Sequence, residues 1–151
     1  MKDALTALAA LTALAALAAL TVLAALAALT ALTALVVFLT DTVYSAYRFE
    51  GVDHYLIEAN YALDIIDQRI ADGKLQKFLR DRILNSHMSI DTCIDFLRAN
   101  DLSSVKNIVL IHLSDGNSDA ARFKTQVARA TGKPVFVADA GMSIPFGLWP
   151  F

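Results

Sequence analysis

From Val36 onward, short apolar runs alternate with turn residues and then with helical spacings, the rhythm of strands and helices taken in turn. V-V-F-L-T-D-T, starting at Val36, is β-branched and aromatic and predicts a buried strand that terminates in Asp41. H-Y-L-I-E-A-N, starting at His54, predicts a strand closing on Glu58. The Glu50-Gly51 pair within the stretch from Tyr44 to Asn60 predicts a hairpin or short strand pair. The clearest strand lies in N-I-V-L-I-H-L-S-D-G-N-S, Asn107 to Ser118, where an apolar run brackets His112 and a Ser-Asp-Gly-Asn-Ser turn follows. Pro134 to Ala138 predicts a last strand.

Helical spacings fill the intervals. Leu63, Ile66 and Ile70 recur at helical period, with Gly73 where a helix stops. Lys74 to Leu84 reads as a second short helix. Ser89 is placed to cap a third, with Asp91 in its first turn and Ile90, Cys93, Ile94 and Leu97 facing inward. A fourth starts at Asp119, buries Phe123, Val127 and Ala130, and ends at Gly132 before Pro134. After Gly141 the tail S-I-P-F-G-L-W-P-F is apolar and broken by proline, so it is expected against the surface rather than in an element.

The first 35 residues follow a different rule. Leucine occupies every third position from Leu5 to Leu35 in a background of Ala and Thr. A period of three lags behind the helical 3.6, so the leucines walk round the helix and no amphipathic stripe results. A long Ala/Leu helix or helical hairpin is expected. An uncharged apolar run of about 20 residues is enough to span a bilayer, so association with a membrane through residues 4–39 is one reading. A simple-repeat helix that only packs is the other. A signal peptide fits less well, because the run is too long and Asp3 offsets Lys2.

At 151 residues with net charge −2, the chain has the length for one core and no global field that argues for nucleic acid or for a basic partner. One cysteine, Cys93, excludes a disulfide framework and a thiolate zinc cluster, and suits a cytoplasmic location; membrane anchoring is the alternative. Lys77, Arg80 and Arg82 make a basic group able to touch phosphate, but Asp72 and Asp81 interleave with them and favour a solvated face. Four ionisable groups fall at strand ends or in the loops that follow: Asp41, Glu58, His87 and His112. Carboxylates and imidazoles suit zinc or manganese, and a Glu beside a His orients the imidazole. A packed core histidine is the plain alternative for His112.

L-T-D-T at Leu39 to Thr42, I-E-A-N at Ile57 to Asn60, S-H-M-S at Ser86 to Ser89 and L-I-H-L-S at Leu110 to Ser114, in that order, resemble the second half of a metallo-β-lactamase-fold hydrolase. The nearest branch is the tRNA 3′-processing ribonucleases and phosphodiesterases. The resemblance implies an α/β fold, part of a metallo-β-lactamase-like αββα sandwich with a mixed sheet and flanking helices, over residues 36–146. The Ala/Leu/Thr segment 1–35 precedes it and an apolar tail 147–151 follows. It implies that Asp41 and His112 are ligands to zinc or manganese, and that Glu58 and His87 form a catalytic pair delivering a proton to the leaving group. The substrate would be a small-molecule or nucleic-acid phosphodiester. The family's H-x-H-x-D-H motif has no counterpart, since the histidines are His54, His87 and His112, so the metal site in this chain is expected to be incomplete. The competing expectation is a non-catalytic folded module, natural or engineered. Assembly with further copies of the chain is open on either reading.

Overall fold

The computed structural model describes residues 14, 16–21 and 34–144. The chain divides into two compact units, Met1–Ala34 with Gly147–Phe151, and Leu35–Phe146. Residues 16–21 of the first are helical. Most of the segment expected to form a long helix, and the tail 147–151, lie outside the described residues. Among the described residues, no helix is long and apolar enough to cross a membrane.

In the second unit the elements follow in the order β1 (Val36–Leu39), β2 (His54–Glu58), α1 (Leu63–Ala71), α2 (Lys77–Ser86), α3 (Ile90–Arg98), β3 (Asn107–Ile111), α4 (Ala120–Thr131) and β4 (Val135–Val137). The strands form one sheet in sequential order, and every neighbouring pair is parallel. The chain is therefore of the α/β class, but the sheet is not the mixed one expected. Nor does the hairpin at Glu50-Gly51 form: no strand lies between Leu39 and His54. Parallel pairing of β1 with β2 is the reason, because the chain must travel back from the end of one strand to the start of the next. Residues 40–53 make that return as irregular backbone. Gly51 turns it at φ 66°, the Phe49 N–H donates to Asn100 Oδ1 at 2.8 Å, and Val52 is buried.

Sequential order also decides the layering. Right-handed crossovers that all step the same way place their connections on one face of the sheet. Tyr55, Ile57, Ile108, Leu110 and Val135 face that side and pack with Ile90, Cys93, Phe96 and Leu97 of α3 and Phe123 and Val127 of α4. The Tyr55 and Phe96 rings meet edge to face at 6.0 Å. Each such large side chain, fully buried, contributes on the order of 2 kcal/mol. The opposite face carries the aligned row Phe38, Leu56, Val109 and Phe136. There Phe38 is 60% exposed, and Met142 and Ile144, at the start of the apolar tail, lie beside Leu56, Val109 and Ile111.

The helix ends obey local chemistry. Ser89 Oγ accepts the Thr92 N–H at 3.0 Å and Asp119 caps α4 by accepting the Arg122 N–H at 2.9 Å. Gly132 ends α4 at φ 67°, the left-handed conformation that costs glycine least.

Candidate metal centre

Three adjacent parallel strands deliver their chemistry to one edge of the sheet. Asp41 follows β1, Glu58 closes β2 and His112 follows β3. Such carboxyl edges are where loops of open α/β sheets expose functional groups. His87 joins them from the end of α2, where it leaves helical geometry at φ −130° and ψ 155°. All four residues singled out in the sequence thus come together.

Glu58 ties the group. It is fully buried; its Oε1 lies 2.7 Å from His87 Nδ1 and 3.1 Å from His112 Nδ1, and its Oε2 accepts the Thr42 N–H at 3.3 Å. With Glu58 as the acceptor, His87 Nδ1 supplies the hydrogen in that bond. Asp41 is exposed, with its Oδ1 3.6 Å from His112 Nδ1 and 3.9 Å from His87 Nδ1. The two imidazoles meet edge to face, with ring centroids 4.9 Å apart.

The backbone singles out the same residues. Among the described residues, the only non-glycine positions with positive φ are Asp41, at 52°, and His112, at 55°. Asp and His tolerate this region better than most residues, yet it still costs roughly 1 kcal/mol or more and persists only where the surroundings over-determine it. At His112 they do. Asn60 Nδ2 donates to the His112 carbonyl at 2.8 Å, the Ser114 N–H donates to the Asn60 carbonyl at 3.0 Å, and the Ala59 N–H donates to the Ile111 carbonyl at 3.1 Å. Thr40 Oγ1 lies 3.2 Å from Asp41 Oδ2 and 3.3 Å from His112 Nδ1.

No family model, curated protein or solved structure matches the chain.

The donor set fits a hard or borderline divalent ion. Asp41, His87 and His112 each offer a ligand atom, and these atoms all lie within 4.8 Å of one another. Ligands on an ion with bonds of ~2.1 Å sit roughly 3.0–3.5 Å apart, so the three side chains would have to draw together to hold one. Cys93 is not part of the chemistry: burial, and then the nearby Glu58 charge, raise its thiol pKa, so it packs as a small hydrophobe.

The sequence did not single out Thr40 and Asn60 as positioning residues. Asn60 stands in I-E-A-N immediately after a predicted strand, where a side-chain amide often bonds neighbouring backbone, and that was the available signal. Arg82, for which the sequence favours a solvated face, lines a cleft of about 720 Å³ together with Asp41 and His87.

Proposed function

We propose that this chain carries one side of a metal-dependent hydrolase centre of the metallo-β-lactamase type, acting on phosphodiesters, with Asp41 and His112 as ligands to zinc or manganese. The observation that supports it is that these two residues, and no other non-glycine among those described, hold left-handed backbone, after β1 and β3 on either side of β2. Strain of this kind collects at functional sites. A bound ion supplies a hydrolytic nucleophile near neutral pH and offsets the charge that builds on the phosphoryl group.

The chain's own residues do the rest. Asp41 and His112, at the open end of the sheet beside the cleft, would hold the ion. Glu58 holds His87 through Nδ1, which leaves His87 Nε2 to carry a proton to the departing oxygen. The low-dielectric position of Glu58 strengthens that bond, since the carboxylate has no solvent to turn to. With only these groups the ligand set is smaller than the three protein ligands usual for catalytic zinc, so the centre in this chain is a partial one. A second assignment makes His87 the third ligand, favoured by its place in the same cluster as Asp41 and His112.

Metal content of the full chain, measured by elemental mass spectrometry after purification without an affinity tag, tests both assignments. About one zinc or manganese per chain is expected, lost in Asp41→Asn and in His112→Ala. Retention in His87→Ala fits a proton carrier, and loss there makes His87 a ligand. Metal that is absent from the parent chain, or indifferent to Asp41→Asn and His112→Ala, overturns the proposal and leaves the non-catalytic module.

A further inference from the structure

Helix α2 brings to the cleft a cation that the reading above does not use. On that wall, Asn85 Nδ2 donates to the Asp81 carbonyl at 2.8 Å, Ser86 Oγ donates to the Arg82 carbonyl at 2.8 Å, and His87 Nδ1 is held by Glu58. The local donors are spent on the helix and on the buried carboxylate. Among the described residues, the Arg82 guanidinium alone on this wall makes no hydrogen bond or ion pair, and it is exposed in the cleft beside Asp41, Tyr44 and His87.

Arg80 shows the contrast. Two residues earlier, about 200° round the helix, it reaches Asp67 at 3.4 Å and Asp81 at 3.5 Å. The basic group of α2 is therefore split into a structural arginine and an uncommitted one. Electrostatics gives the uncommitted one a task. Asp41 and Glu58 place two carboxylates at the site, and a phosphodiester anion approaching them is repelled wherever the ion does not compensate. The planar fork of a guanidinium matches two non-bridging phosphoryl oxygens.

We propose that Arg82 is the specificity residue of this cleft: its guanidinium grips the non-bridging oxygens of a phosphodiester beside Asp41 and His87, selecting a charged ester over a neutral one. This inference rests on the hydrolase reading.

The test is calorimetric titration of the full chain, supplied with zinc, using a dithymidine phosphodiester and its uncharged methylphosphonate counterpart. The parent chain is expected to bind the diester more tightly than the methylphosphonate. Arg82→Ala and Arg82→Gln are each expected to weaken the diester roughly tenfold, about 1.4 kcal/mol, without moving the methylphosphonate or the metal content. Arg82→Lys is expected to recover part of the loss. Circular dichroism checks the fold of each variant, and Gln, which keeps a straight polar side chain on the helix, covers a folding defect of the Ala variant. A parent chain that binds neither probe, or does not distinguish them, overturns the proposal. So does an arginine variant that leaves the diester unchanged or weakens both probes equally. Failure of the hydrolase reading looks different: metal absent or indifferent to His112→Ala, with the charge selectivity of Arg82 still present.

Discussion

Strand β2 has an ionisable residue at each end, both buried, and the two ends behave differently. At its start, His54 is 1% exposed and its Nδ1 lies 2.8 Å from Oδ1 of Asn107, its register partner on β3. The polar contact is made inside the sheet. At its close, Glu58 is equally buried, but it holds His87 and His112, whose side chains are 23% and 42% exposed. Its contacts are passed outward to groups that solvent and a ligand can reach. Burial alone therefore does not separate a structural polar residue from a functional one. What marks the Glu58 end is that its partners His87 and His112 stand at an open edge.

The largest effect that sharpens this contrast is on stability. His54→Ala is expected to cost roughly 2–3 kcal/mol, because it removes a buried ring and the partner of Asn107 Oδ1, and to leave metal binding in the folded chain unchanged. Urea unfolding of this variant beside His112→Ala measures it. If the His112 variant proves the less stable of the two, the division between the ends of β2 is wrong.

A smaller effect isolates the strained backbone. His112→Gly is expected to be more stable than His112→Ala by about 1 kcal/mol, since glycine occupies φ 55° without a Cβ conflict while both variants lack the imidazole. Equal stabilities would mean that the left-handed backbone there stores no strain.

The smallest effect concerns the start of β2. Asp53 lies beside His54; its Oδ1 is 2.8 Å from Lys106 Nζ and its Oδ2 accepts the Leu35 N–H at 2.9 Å. The lysine hydrogen bond first, and the Leu35 N–H next, hold its carboxyl below the ordinary value. A depressed folded pKa contributes stability that is complete above the unfolded value of ~3.9 and is lost as pH falls through the folded one. Acid titration of stability should therefore be shallower in Asp53→Asn, by under ~1 kcal/mol. An unchanged acid limb would show that this pair does not contribute.

Legibility in the sequence followed the range of the interactions concerned. The Ser89 cap, the Gly132 stop and the apolar runs of β2 and β3 were readable because each depends on neighbours within a few residues. The strand-end positions of Asp41, Glu58 and His112 were readable for the same reason: an apolar run that breaks at a polar residue marks where the chain leaves the sheet. Asn60 and Thr40 were not, because their partner His112 lies far along the chain and nothing local announces it.

Taken by itself, the sequence determined where the four strands and four helices lie from Val36 onward, though not that residues 40–53 hold no strand, and it determined that their class is α/β and which ionisable residues stand where strands end. Tertiary structure alone decided that all four strands run parallel, that residues 40–53 return as a loop, that the helical core covers one face, and that Arg80 and Arg82 part company. Side-chain period and capping act over one or two turns of chain and are written locally. Strand direction, sheet order and the meeting of Asp41, Glu58, His87 and His112 depend on pairings between distant segments, which form only when the sheet closes.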